Sequence, residues 1–220
     1  MSAPPTSRQR ILDRVRLATH ALADPGYNSE TAYAALPCTF IVRGQLTADA
    51  RIHLMIECLR EYGAEVVECS PEDVAASIAA QLAASGKHTF AAPPGLAAEW
   101  LAGGFNWKVD DGLRIEEIEA VEGVVTAAFC GVADSGTIAL HHSLTEGRRV
   151  LTLLPDWHLC ILRASQVVET LPEYFERCQV PPNLVTWISG PSATADIEMT
   201  RIKGVHGPRF LHVILVRDPV

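Results

Sequence analysis

The run Phe210-Leu-His-Val-Ile-Leu-Val216 constrains the fold more than any other stretch of this chain. It is almost wholly apolar and of strand length, and Gly207-Pro208 bounds it on one side, so it reads as a buried strand. Shorter segments share its character: residues 64–69, 89–92, the β-branched and apolar stretches 121–128, 137–140 and 149–154, and a possible strand at 39–42. Helical spacing appears between them, over residues 49–62, from Ser70-Pro-Glu-Asp to about Gly86, and over 166–177, with a helical turn at 97–101. Strands alternating with helices of ten or more residues predict an α/β fold whose sheet is mostly parallel and flanked by helices. Ser70 is placed to cap its helix, with proline at the first helical position and acids in the first turn.

Residues 7–23 carry apolar side chains at helical spacing, with Arg8, Arg10, Asp13, Arg14 and Arg16 opposite, and Asp24-Pro-Gly closes that helix. The expected organisation is therefore an N-terminal helical segment, 1–26, and a single α/β domain, 27–220. A formal net charge of -8 argues against nucleic acid as a partner. No apolar run approaches the ~20 residues of a membrane span, and the first residues lack the apolar core of a signal peptide, so a cytoplasmic location is expected. Six cysteines (Cys38, Cys58, Cys69, Cys130, Cys160, Cys178) fall in no Cys-x-x-Cys pair. They read as reduced thiols, and no metal site or cofactor is expected on this chain.

Polar groups gather in three places. Gly131-Val-Ala-Asp-Ser-Gly-Thr137 puts Asp134, Ser135 and Thr137 around Gly136; it is either a hairpin turn or a carboxylate and two hydroxyls offered to a ligand. Pro155-Asp-Trp-His158 joins two apolar runs, and His158 is either a satisfied core side chain or a site residue. Ser189-Gly-Pro-Ser-Ala-Thr194 follows a strand and presents Ser189, Gly190, Ser192 and Thr194 as an anion cradle, although neither nucleotide-binding fingerprint is present. Asp196 and Glu198 would repel a phosphate there; they either pair with Arg209 or His206 or hold a hydrated cation, and the ion pair is the simpler reading. The last turn, Gly204-Val-His-Gly-Pro-Arg209, adds Gly204, His206, Gly207 and Arg209. His141-His142 does not make a chelate, because neighbours on a strand point to opposite faces.

Ala133-Asp-Ser-Gly-Thr137, Leu154-Pro-Asp-Trp-His158, Ser189-Gly-Pro-Ser-Ala-Thr-Ala-Asp-Ile-Glu198 and Gly204-Val-His-Gly-Pro-Arg209 occur in an order and spacing that resembles the lactate utilization protein C family of LUD-domain proteins. The resemblance is strong over residues 120–216 and weak before them. One motif departs: Asp134-Ser135 stand where the family usually has Glu-Thr, which keeps charge and hydroxyl but shortens the carboxylate by one methylene. The resemblance implies a fold similar to the ribose-phosphate isomerase and CoA-transferase (NagB/RpiA-like) group. It also implies a part in oxidising L-lactate to pyruvate beside LutA-like and LutB-like iron–sulfur partner subunits. On that reading the chain is the cluster-free subunit, binding a small anionic ligand between the Asp134–Thr137 turn, His158 and the two C-terminal loops. Two alternatives stay open: an independent acyl- or phosphoryl-transfer enzyme, with Asp134 as nucleophile or base and His158 or His206 as proton carrier, and a scaffold or sensor without catalysis. Oligomeric state is also open.

Overall fold

A computed structural model describes residues 6–20, 29–37, 39, 41–101, 103–180, 182–194, 202–203 and 207–218. The chain divides into two compact units, 1–40 and 41–220. The first holds helices α1 (Ser7–His20) and α2 (Ser29–Ala34). The second holds helices α3 (Ala48–Glu61), α4 (Val74–Ala84), α5 (Ile115–Glu119) and α6 (Leu171–Arg177). Its strands are β1 (Glu65–Cys69), β2 (Thr89–Ala92), β3 (Asn106–Val109), β4 (Gly123–Ala127), β5 (Cys130–Val132) and β6 (Thr137–Leu140). They continue with β7 (Trp157–Arg163), β8 (Val167–Val168), β9 (Thr186–Ile188), β10 (Ala193–Thr194), β11 (Ile202–Lys203) and β12 (Phe210–Val216).

Six strands form one parallel sheet in the order β1-β12-β7-β4-β2-β3, so the expected α/β class with a mostly parallel sheet is observed. The apolar run that anchors the sequence reading is β12, inserted between β1 and β7, with Leu211 opposite His158 and Val213 opposite Cys160. Side chains alternate across a strand, and the core follows that period. Leu211, Val213 and Leu215 of β12, with Cys160 and Leu162 of β7, pack under Ile52, Met55, Ile56 and Leu59 of α3. Ile214 and Val216, with Leu159 and Ile161, pack on Val74, Ile78 and Leu82 of α4. Both faces are covered, which is why β12 needs no polar side.

A second sheet, in the order β8-β5-β6-β9, shares the α3 face through Ile138, Leu140 and Val167. It is mixed: β5–β6 and β6–β9 are antiparallel, and β5–β8 is parallel. Residues 166–177 were expected as one helix, and here the structure differs. Val167-Val168 pair with β5, as suits β-branched side chains, and α6 starts only at Leu171. Its start is set by Glu173, whose carboxylate accepts the Thr170 N–H at 3.0 Å. Residues 149–154 are also not a strand, since Arg149–Thr152 form a 3-10 turn. Thr39 and residues 41–42 are irregular. The Ser70 hydroxyl bonds the Asp73 carboxylate at 2.7 Å rather than a backbone N–H, and the helix opens with a 3-10 turn, Pro71–Asp73.

Candidate functional site

The C-terminal half of α3 seats both glycine turns. Asp134 lies in a 3-10 turn, Ala133–Ser135, closed by Gly136 at φ 57. A Cβ on Gly136 would lie 2.7 Å from Cys58 Cβ and 2.9 Å from the Cys58 carbonyl carbon. Gly190 has φ 85, and its Cβ would meet Tyr62 Cβ at 2.6 Å. Each glycine therefore combines a left-handed backbone with an approach to the helix that no side chain permits. The turns are joined directly: Thr137 Oγ1 and Ser189 Oγ are 2.7 Å apart. The last turn is tied in by the Ser192 N–H, which donates to the Pro208 carbonyl at 2.8 Å.

These loops close a cleft of about 130 Å3, lined among others by Arg149, His158, Thr186, Ser189, Gly190 and Gly207. His158 and Leu211 are opposed at the starts of β7 and β12, so the cleft caps the amino-terminal edge of the parallel sheet. Open α/β sheets usually bind ligands beyond their carboxyl ends. Here the wall is completed by β9 of the second sheet, which reverses that placement.

His158 is buried, and its Nε2 lies 2.8 Å from Thr126 Oγ1. Burial, reinforced by the Arg149 charge, pushes its pKa down to about 3, so the ring is neutral at physiological pH. Arg149 donates to Thr152 Oγ1 at 3.2 Å, and among the described residues no carboxylate pairs with it. Burial lowers its pKa below the usual guanidinium value without making it neutral. Among the described lining residues it is the single charged group. Among the described residues the cleft is thus a small hollow with one charged lining group, Arg149, that no carboxylate pairs.

The Asp134 turn faces a different space. Asp134, Ser135 and Thr137 line a wider cavity of about 520 Å3 with Val132, Leu171, Phe175, Trp187 and Ser189. Trp187 and Ser189 line both cavities. The residues grouped from the sequence are therefore divided: Asp134 and Ser135 lie on one side of β9, and His158, Gly190, Ser192 and Gly207 on the other. Among the described residues Ser189 has Thr137 as its hydroxyl partner.

Arg209 is placed by Asp156. Its Nε and Nη2 donate to the two carboxylate oxygens at 2.6 and 2.8 Å, which holds the Asp156 carboxyl below the usual carboxylate range. The other expected partners of Arg209, Asp196 and Glu198, fall outside the described residues. Asp196, Glu198, Gly204 and His206 lie outside the described residues, and Thr194 is described only as backbone in β10, opposite Ile202. His141 and His142 follow β6 and do not converge: His141 Nε2 meets the Tyr174 hydroxyl at 2.7 Å and His142 Nε2 meets Thr186 Oγ1 at 2.8 Å. Among the described residues no group of three or more His, Cys, Asp or Glu side chains is placed to hold a metal ion. Five described cysteines are free, and burial raises Cys130 to about 11 and Cys160 to about 12.

The sequence reading missed Arg149 and Thr186. The signal for Arg149 was the Arg148-Arg149 pair beside an apolar stretch. Arg148 is neutralised by Asp110, with Nε donating at 2.8 Å, and its neighbour faces the cleft.

Fold and cleft together define an α/β protein with a small pocket between two sheets. Comparisons with known proteins give the family. A model of the LUD domain matches residues 52–216. Lactate utilization protein C of Deinococcus radiodurans is 33% identical over 220 residues, covering 98% of this chain and 100% of that protein. Lactate utilization protein C of Bacillus subtilis is 32% identical over 134 residues, which span 56% of this chain and 55% of that protein. The crystal structure of a DUF162 family protein from Deinococcus radiodurans aligns with a TM-score of 0.65 at 30% identity, covering 78% of this chain and 99% of that one. The chain belongs to the LUD domain family.

Proposed function

We propose that this protein acts in lactate utilization, as the cluster-free subunit of a cytoplasmic system that oxidises L-lactate to pyruvate. It works beside LutA-like and LutB-like iron–sulfur subunits and takes a small anion in the cleft between Arg149 and His158. The observation that carries the reading is the end-to-end alignment with a protein named lactate utilization protein C. The scattered cysteine spacing supports a division of labour in which clusters sit on the partners. Among the described residues no helix is long and apolar enough to cross a membrane. Deletion of the gene is expected to abolish growth on L-lactate and leave growth on pyruvate intact, and the tagged chain is expected to co-purify with cluster-bearing proteins. Unimpaired growth on lactate, in a strain without a second copy, would remove the proposal.

A further inference from the structure

His142 is the one non-glycine residue with a positive φ among the described residues, at 56°. Such a conformation is strained for a residue that carries a β-carbon and persists where surrounding contacts enforce it. Here both ring nitrogens are engaged: Nδ1 lies 2.9 Å from the Gly147 carbonyl and Nε2 lies 2.8 Å from Thr186 Oγ1. A carbonyl oxygen only accepts, so the ring proton sits on Nδ1. In the neutral imidazole Nε2 is then an acceptor, and the Thr186 hydroxyl must donate to it. Thr186 lines the Arg149 cleft. With its proton turned to His142, the only role its oxygen has left for a ligand is that of acceptor.

We infer that the cleft takes a small carboxylate bearing a hydrogen-bond donor on the neighbouring carbon, with Arg149 as the carboxylate anchor and His142, acting through Thr186, as the positioning residue that imposes the donor. The inference rests on the proposed function and narrows it to named residues. Arg149 suits a monoanion: it is the single charge among the described lining residues, and the imidazole of His158 adds none. Among the described lining residues a dianionic phosphate would find no second positive partner. The guanidinium Nη1 is used by Thr152, which leaves the other nitrogens of the fork for a carboxylate. A hydroxy acid satisfies the Thr186 oxygen. The corresponding oxo acid sets acceptor against acceptor.

The test is calorimetric titration of the full-length chain at pH 8 with L-lactate, pyruvate, acetate and inorganic phosphate as probes. Wild type is expected to bind L-lactate about fivefold or more tighter than pyruvate, the value of one hydrogen bond, with no displacement by phosphate. Arg149→Gln should weaken lactate and acetate alike by about tenfold or more. Thr186→Val and His142→Gly should erase the lactate-over-pyruvate preference while leaving acetate unchanged, and Thr186→Ser should retain the preference. Glycine tolerates the positive φ at 142, and the isosteric Thr186→Val covers the case in which His142→Gly does not fold. Equal binding of pyruvate and lactate by wild type, or a preference that survives both variants, overturns the donor requirement. Unchanged affinity in Arg149→Gln, or no carboxylate binding at millimolar concentration, overturns the anchor. A growth defect on lactate without such binding would leave the role in lactate utilization standing and remove this inference; binding without a growth defect would do the reverse.

Discussion

The six-stranded parallel sheet and the four-stranded sheet beside it keep their shapes by different means. In the first, strands such as β7 and β12 are buried on both faces, and alternate side chains fill two separate cores. Its geometry is the sum of many interchangeable apolar contacts. In the second, β5, β6 and β9 are three or four residues long, and the turns between them depend on particular groups: Gly136 and Gly190 against α3, and Thr137 against Ser189. The parallel sheet is therefore expected to tolerate similar apolar residues better than the second sheet, whose turns rest on particular atoms. The cleft lies between them, with a floor from the parallel sheet and a wall from the second.

That contrast can be broken experimentally. Ile214→Ala, fully buried in β12, should lower stability by about 2–5 kcal/mol in urea denaturation. Ile188→Ala in partly buried β9 should cost clearly less, and equal losses would mean the two sheets are not different in kind. Gly136→Ala removes no contact, yet it should destabilise by about 2–4 kcal/mol, because the left-handed backbone is strained and the new methyl meets α3. A neutral result would show that α3 gives way and that the turn is not pinned.

His158 supplies a pH test of the floor. Its folded pKa is about 3 against an ordinary value of 6.5, so between these values the unfolded chain binds a proton that the folded chain refuses. Stability should therefore fall as pH drops from 6.5 toward 3, by up to about 1.4 kcal/mol per pH unit from this group. The difference between wild type and His158→Gln isolates it from other titrating groups, and a pH-independent difference would show that water reaches the ring. The smallest effect is expected at the rim. Arg209→Ala breaks a half-exposed bidentate pair with Asp156 and should cost less than about 1 kcal/mol, weakening further in high salt.

Much of the parallel sheet was legible because its signals are local. Residues 89–92 and the β12 run carry the strand pattern within their own few residues, and α3 shows its helical spacing between Thr47 and Gly63. The second sheet was harder to read. Gly131 and Val167 become strand residues only because they meet across 36 positions, and nothing near Val167 marks it off from the helix that follows. The family motifs singled out Asp134, His158 and Ser189 by residue type and spacing. They could not say that Asp134 and His158 line different cavities.

By itself, then, the sequence determined the α/β class, the buried character of the last strand, the need for glycine in the turns and the family signature, all of which depend on residues close together in the chain. Tertiary structure alone decided which polar groups share a space. Arg149 is the charged group among the described lining residues of the cleft while Asp110 pairs with its neighbour Arg148, and the His142 ring, 44 residues from Thr186, meets both the Thr186 hydroxyl and the Gly147 carbonyl. Burial and hydrogen-bond polarity are properties of long-range packing, and no local pattern encodes them.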